Sequence, residues 1–260
     1  MMHGARIPIA TAIAMVFGMT ASGAAQPPGV DLSSRAGQDR LPDDAANGIS
    51  MLIATADFND DGIADVAEVT LPQDGQKGPG ILTILLGQRD GRFRPVSHHT
   101  LLGDDPRSIV AGDFNSDGNA DLLVGDGNGA VTELLGDGRG DLRSVGEVAR
   151  VGSAVSIAVG DFNRDGIPDL AVSDLRSNNV TILLGSGKGP FRFGWSFALP
   201  MRGTTYYLAA ADFNGDGIPD LAITSDEEGM FLVMLGNGNG TFTYAPALSK
   251  IRDPSSYCPT

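Results

Sequence analysis

Asp161-Phe162-Asn163-Arg164-Asp165-Gly166-Ile167-Pro168-Asp169 is one of four copies of the pattern Asp-Phe-Asn-x-Asp-Gly-x-x-Asp in this 260-residue chain. The other copies run from Asp57 to Asp65, from Asp113 to Asp121 and from Asp212 to Asp220, and successive copies start 56, 48 and 51 residues apart. A period of about fifty residues is the size of one repeating β-unit, so the spacing points to an architecture before any single strand is assigned.

Each nonamer sits between two strand-like runs. Ile53-Ala-Thr-Ala, Ile109-Val-Ala-Gly, Ile157-Ala-Val-Gly and Leu208-Ala-Ala-Ala come before it; Val66-Ala-Glu-Val, Leu122-Leu-Val, Leu170-Ala-Val and Leu221-Ala-Ile come after it. A third run ends in Leu-Gly at Gly87, Gly136, Gly185 and Gly236, and a Gly-rich turn and a fourth run follow. Four short strands per unit, joined by turn chemistry, is the reading. The second and third runs are continuously apolar, which predicts strands buried on both faces. The fourth run of unit three alternates, placing Phe191, Phe193, Trp195, Phe197 and Leu199 on one face. A sheet with a doubly buried middle and a half-exposed outer strand is a propeller blade, stacked between two neighbours.

The expected fold class is therefore all-β: a β-propeller of four-stranded blades at about residues 48–103, 104–151, 152–202 and 203–252. The first unit is long because of a Pro/Gly/Gln stretch from Leu71 to Gly80, read as an extended hairpin loop.

The nonamer has the chemistry of an oxygen cage. Side chains at positions one, three and five supply oxygens from one tight turn, and Gly at six permits the bend that aims the carbonyl of position seven inward. Asp at nine closes the site. Three carboxylates, an amide oxygen, a carbonyl and water make six or seven hard ligands, which suit Ca²⁺ better than zinc or copper. A metal-free hairpin turn uses the same residue types. Against it, an empty cage would crowd three like charges, and all four copies keep the five key positions. Phe at position two is expected to point into the blade core. In the first copy Glu68 completes a helix-loop-helix calcium pattern, but Val124, Val172 and Ile223 hold that place in the others and the flanks are β-like, so Glu68 is read as a strand residue.

On these residues the unit resembles the FG-GAP/VCBS repeat of integrin α-subunit propellers and of many exported bacterial proteins. The resemblance covers about residues 48–250. It implies a β-propeller with up to four Ca²⁺ ions, one in the loop between the first and second strands of each blade. The ligands it implies are Asp57, Asn59, Asp61, the Ile63 carbonyl and Asp65; then Asp113, Asn115, Asp117, Asn119 and Asp121; then Asp161, Asn163, Asp165, Ile167 and Asp169; and finally Asp212, Asn214, Asp216, Ile218 and Asp220. It further implies adhesion, glycan binding or protein–protein contact. Propellers of the family usually close with seven or eight blades, against four here. The tail at 253–260 repeats the pattern that opens the second unit (Asp253-Pro-Ser-Ser beside Asp105-Pro-Arg-Ser), as the start of a truncated fifth blade would. The readings left open are a truncated product, an open arc completed by another chain, and a closed four-blade ring. An open arc bares two blade faces and invites self-association.

Residues 1–25 read as a cleaved export signal: Arg6, an apolar run from Ile7 to Ala21, then small residues up to Ala25. Residues 26–47 read as a flexible polar leader. The expected location is secreted, periplasmic or cell-surface, with no stable membrane insertion once the signal is removed. Without residues 1–25 the chain keeps 17 of its 18 basic and all 32 acidic side chains, a formal charge of −15, which excludes nucleic acid as a natural partner. Twelve of the acids are positions one, five and nine of the nonamers, so four divalent ions would bring the charge to −7. Cys258 is alone, so no internal disulfide can form.

Three signals point elsewhere and are set aside. The Gly-x-Gly-x-Gly turns at Gly136, Gly185 and Gly236 look like phosphate loops, but no Lys-Ser or Lys-Thr and helix follow, so they are hairpin turns. The aromatic row from Phe191 to Phe197 could stack on sugars, but such rows more often pack on the next blade. Adjacent His98 and His99 face opposite ways and are read as a solvated strand end, and at most one of Tyr206 and Tyr207 should be exposed. No nucleophile–base pair stands out, and the recurrent carboxylates belong to the nonamers. The functional expectation is an exported calcium-binding scaffold for a glycan or protein ligand, without catalysis. A polysaccharide-cleaving hydrolase or lyase on the same scaffold, and a gene fragment with no independent role, are the alternatives.

Overall fold

In a computed structural model of the chain, the residues described are 48–72, 79–100, 105–200, 206–225, 230–245 and 249–250. The expected signal, leader, tail and most of the Leu71–Gly80 loop lie outside them. Among the described residues there is no helix, hence none long and apolar enough to cross a membrane.

The first sheet is β1 (Gly48–Ala56), β2 (Asp65–Pro72), β3 (Ile81–Gly87) and β4 (Phe93–Thr100). The second is β5 (Pro106–Gly112), β6 (Asp121–Asp126), β7 (Ala130–Gly136) and β8 (Leu142–Arg150). The third is β9 (Ala154–Gly160), β10 (Asp169–Asp174), β11 (Asn179–Leu184) and β12 (Arg192–Ala198). The fourth is β13 (Tyr206–Ala211), β14 (Asp220–Ser225), β15 (Met230–Gly236) and β16 (Phe242–Tyr244), with β17 (Ser249–Lys250) also paired to β15. Every sheet is an antiparallel meander in chain order, and the four sheets are the blades of a β-propeller.

Apolar burial between neighbouring blades holds the array together. β6 and β10 are buried at every residue, because each is a middle strand with a sheet on both sides. Glu68 lies in β2, as a strand residue. One cluster joins blade one (Phe58, Leu82, Ile84) to blade two (Leu122, Val124, Leu142). A second joins blade two (Phe114, Leu123) to blade three (Leu170, Val172, Leu183), and a third joins blade three (Phe162, Ile182, Phe197) to blade four (Leu221, Met234, Phe242). The first strands stack in sequence: β1 on β5, β5 on β9, β9 on β13. Among the described residues no comparable packing joins β13 back to β1.

The aromatic row of β12 does not share one face. The pairing with β11 shifts register between Ile182, opposite Trp195, and Leu183, opposite Phe193, which leaves Gly194 as a bulge. A bulge inserts one residue and so reverses which face the following side chains take. Phe191 therefore packs toward blade two, 6.1 Å from Phe114, whereas Trp195 and Phe197 pack toward blade four, 6.4 Å from Phe242 each. Phe193 is left exposed. The row is divided between two blade interfaces, so it offers no continuous sugar platform. Tyr206 is buried and Tyr207 exposed, as strand alternation requires. His98 is exposed with Nδ1 3.1 Å from Thr83 Oγ1, but His99 is half-buried with Nε2 3.2 Å from Asp141 Oδ1 of blade two, so the pair is not simply a solvated strand end.

Candidate functional site

The four nonamers form the turns between the first and second strands of their blades, and they share one conformation. Position four takes a left-handed φ in every copy: Asp60 at 57°, Ser116 at 61°, Arg164 at 62° and Gly215 at 79°. The glycine at position six does so too, with Gly62, Gly118, Gly166 and Gly217 between 81° and 91°. At 81–91°, beyond the 57–62° that Asp60, Ser116 and Arg164 adopt at position four, a β-carbon is disfavoured, which accounts for Gly at position six in every copy.

Positions one, three and five are gathered on the loop's own amides. In the third copy the Asp165 amide donates to Asp161 Oδ1 at 3.0 Å and to Asn163 Oδ1 at 2.9 Å. Asn163 Nδ2 donates to Asp165 Oδ2 at 2.9 Å, the Gly166 amide donates to Asp161 Oδ2, and the Ile167 amide donates to Asp165 Oδ1. The same bonds recur around Asp61, Asp117 and Asp216. Two ligand-type oxygens thus converge on a single N–H in each turn, at an exposed loop tip where hydration is available. In the fourth copy the amides of Gly217, Gly215, Asp216 and Asn214 hold the Asp212 carboxyl below its usual range.

Position nine is placed differently. Asp65, Asp121, Asp169 and Asp220 are fully buried. In each, Oδ2 accepts the amide of the Phe at position two: Phe58 at 2.8 Å, Phe114 at 3.0 Å, Phe162 at 3.0 Å and Phe213 at 2.9 Å. Oδ1 accepts the amide of the Gly that ends the third strand or directly follows it, namely Gly87, Gly136, Gly185 and Gly236, at 2.8–2.9 Å. The carboxylate thus ties the first turn to the third strand. Burial pushes the Asp169 carboxyl up to about 6, against the amide of Gly185 and with the repulsion of Asp165. Burial likewise raises Asp65 and Asp121.

Among the described residues no three carboxylate, imidazole or thiol groups form a cluster able to hold a metal ion. The donor chemistry still fits a hard cation. Positions one, three and five are side by side at an open mouth, and each position-nine carboxylate keeps a lone pair on Oδ1, which takes a single amide bond, whereas Asp169 Oδ2 takes two, from Phe162 and, at 3.2 Å, from Asn163. Asn119 stands at position seven in the second copy, where the others have Ile63, Ile167 and Ile218.

Sequence reasoning missed the glycine of the Leu-Gly ending. A β-carbon on Gly185 would meet the Pro168 carbonyl oxygen at 2.2 Å, and those on Gly87, Gly136 and Gly236 would meet the position-eight carbonyls of Ala64, Ala120 and Pro219 at 2.1–2.3 Å. The recurrence of Leu-Gly was the available signal. It also missed two serines that join blades: Ser108 Oγ accepts the Ile157 amide at 3.0 Å, and Ser156 Oγ accepts the Leu208 amide at 3.1 Å.

The family profile described as FG-GAP-like repeat matches residues 57–124, 113–172 and 165–223, and that described as FG-GAP repeat matches 206–244. No curated protein matches the chain. Similar solved structures include a protein from Lactobacillus plantarum, at 13% identity and TM-score 0.55, over 80% of this chain and 57% of that one. They also include the β-fructofuranosidase of Schwanniomyces occidentalis complexed with fructosyl-erythritol, at 10% identity and TM-score 0.57, over 78% of this chain and 47% of that one. The chain thus spans about half the length of these structures. At such identities the likeness is one of fold.

Proposed function

The chain belongs to the FG-GAP repeat family, and from that premise we propose that it is an exported, calcium-binding propeller scaffold that holds a glycan or protein ligand without catalysis. The observation that carries the reading is the fourfold loop, with oxygens of positions one and three on one amide and the position-five carboxylate beside them. Asp57, Asn59 and Asp61 and their counterparts would hold the ion at the mouth, with the position-seven carbonyl and a lone pair of the position-nine acid completing the shell. An ion there would replace the loop's internal hydrogen bonds with stronger charge–oxygen contacts and fix the turn between two strands of a blade. With dissociation constants in the extracellular-module range, ~1 mM Ca²⁺ would add roughly 0.4–1.4 kcal/mol per turn. Four independent turns would add roughly 2–6 kcal/mol, comparable with the whole stability of a domain.

Thermal unfolding in calcium and in excess chelator tests the reading. A strong fall in melting temperature on chelation is expected; an unchanged melt would defeat the calcium reading. A hydrolase is the second reading, favoured only by the fold likeness to a fructofuranosidase. A screen against polysaccharides separates the two: binding without product release supports the scaffold, and turnover abolished by one substitution outside the nonamers supports the enzyme.

A further inference from the structure

We propose that the purified chain associates head to tail, the outer face of blade four seating on the outer face of blade one in a second copy. Each internal blade interface includes one recurrent pairing, of the Phe at nonamer position two with the residue six places after the Leu-Gly glycine of the next blade. Phe58 and Leu142 share one cluster. Phe114 meets Phe191 edge-on with ring centroids 6.1 Å apart, and Phe162 meets Phe242 edge-on at 5.3 Å. Phe58, Phe114 and Phe162 are 2%, 4% and 1% exposed.

The two ends of the array hold the unmatched halves of this contact. Phe213 of blade four occupies nonamer position two and is 50% exposed; Phe93 of blade one is six places after Gly87 and is 40% exposed. Around Phe213, Ala209 is exposed and Phe231 and Val233 are only half-buried, whereas their blade-three counterparts Ala158, Val180 and Ile182 are buried. Around Phe93, Ile53 is exposed and Val66 and Leu85 are half-buried, whereas Ile109, Leu122 and Leu134 of blade two are buried.

A backbone latch accompanies two of the three internal interfaces, Gly189 of blade three making no such bond to Phe114. The Gly140 amide of blade two donates to the Phe58 carbonyl of blade one, and the Gly240 amide of blade four donates to the Phe162 carbonyl of blade three, both at 2.9 Å. Gly91 is the counterpart in blade one, and its amide turns back onto the Gln88 carbonyl of its own loop. Among the described residues the two faces do not meet within one chain, since both aromatics are exposed and β13 does not pack on β1. An apolar surface that fits a distinct surface elsewhere on the same molecule makes a heterologous contact, which closes into a ring or runs on as a chain. The occupant that both faces fit is therefore another copy, repeating the contact already made three times inside the chain.

Sedimentation velocity over a concentration series tests this, with the chain, Phe213→Asp, Phe93→Asp and Val145→Asp, the last an exposed residue on the outer strand of an internal blade. The expected result is a mass of two chains or more for the unaltered chain and for Val145→Asp, and one chain for each Phe variant alone. A mixture of the two Phe variants should recover a two-chain species, because one pairing in the mixture joins an intact Phe213 to an intact Phe93. A single-chain mass throughout the series overturns the proposal. So does association that the two Phe variants leave unchanged, or that Val145→Asp abolishes as fully as they do.

Discussion

Asp169 Oδ1 accepts the amide of Gly185 at 2.8 Å while its Oδ2 accepts that of Phe162 at 3.0 Å, so one buried carboxylate joins a loop to a strand sixteen residues away. Asp165, four residues earlier, is exposed and bonds only within its own turn. The two acids of one nonamer should therefore respond differently to substitution. Asp169→Ala leaves two buried amides unpaired and should cost on the order of 2–4 kcal/mol with or without calcium. Asp165→Ala should cost under ~1 kcal/mol in chelator and about 0.4–1.4 kcal/mol more in ~1 mM calcium. Denaturant unfolding of both variants in both buffers is the measurement. A cost for Asp169→Ala that appears only with calcium would make that residue chiefly an ion ligand.

Gly185→Ala should be destabilising by about 1–3 kcal/mol or more, because the added carbon meets the Pro168 carbonyl oxygen at 2.2 Å and Ile167 Cγ2 at 2.9 Å. The clash also pulls the Gly185 amide from Asp169. Gly166→Ala is the comparison: φ is +84° there, but nothing lies within 4 Å of the new carbon. It should cost about 1 kcal/mol, from backbone strain alone. Equal costs for the two in urea titrations would mean that the Gly185 contact relaxes freely.

The fold was legible because its two defining properties are written locally. The period follows from the nonamer, and the doubly buried middle strands show as unbroken apolar runs such as Leu122-Leu-Val and Leu170-Ala-Val. What was not legible depends on partners remote in sequence. Gly194 becomes a bulge only against Ile182 and Leu183, so alternation along β12 alone misplaced Phe193. Phe162 and Phe213 occupy the same nonamer position, yet among the described residues only Phe162 is covered by a following blade. Asp at position nine has the same identity whether it faces a cation or two amides, and only the approach of the third strand distinguishes them.

Glu133 is placed to favour the folded state in acid. It is buried in β7 opposite Leu123, in a place where the other blades have Ile84, Ile182 and Val233. Burial, with some repulsion from Asp121, pushes its carboxyl from 4.5 up to about 7. A carboxyl raised on folding favours the folded state when protonated, so its contribution is largest below about 4.5 and is lost as pH rises to about 7. Asp169, raised to about 6, acts in the same direction. Glu133→Gln should therefore stabilise the chain at pH 8 by roughly 1–3 kcal/mol and leave it nearly unchanged at pH 4. Chemical unfolding in chelator across that range reads the effect, and a constant gain at all pH values would assign it to packing instead of ionisation.

Phe162→Ala and Phe213→Ala make the same chemical change at equivalent positions and should differ widely in cost. Phe162 is 1% exposed and packed against Phe242, so its loss empties part of a blade interface and should cost about 3–5 kcal/mol. Phe213 is 50% exposed, with no following blade among the described residues. In dilute solution its removal should cost under ~1 kcal/mol, since the lost contacts are few. If a second chain covers Phe213, its contribution should grow with protein concentration, because association stabilises the folded state by mass action. Thermal melts of both variants at low and high concentration measure the difference, and a concentration-independent gap would leave Phe213 a solvent-facing residue of an uncovered blade.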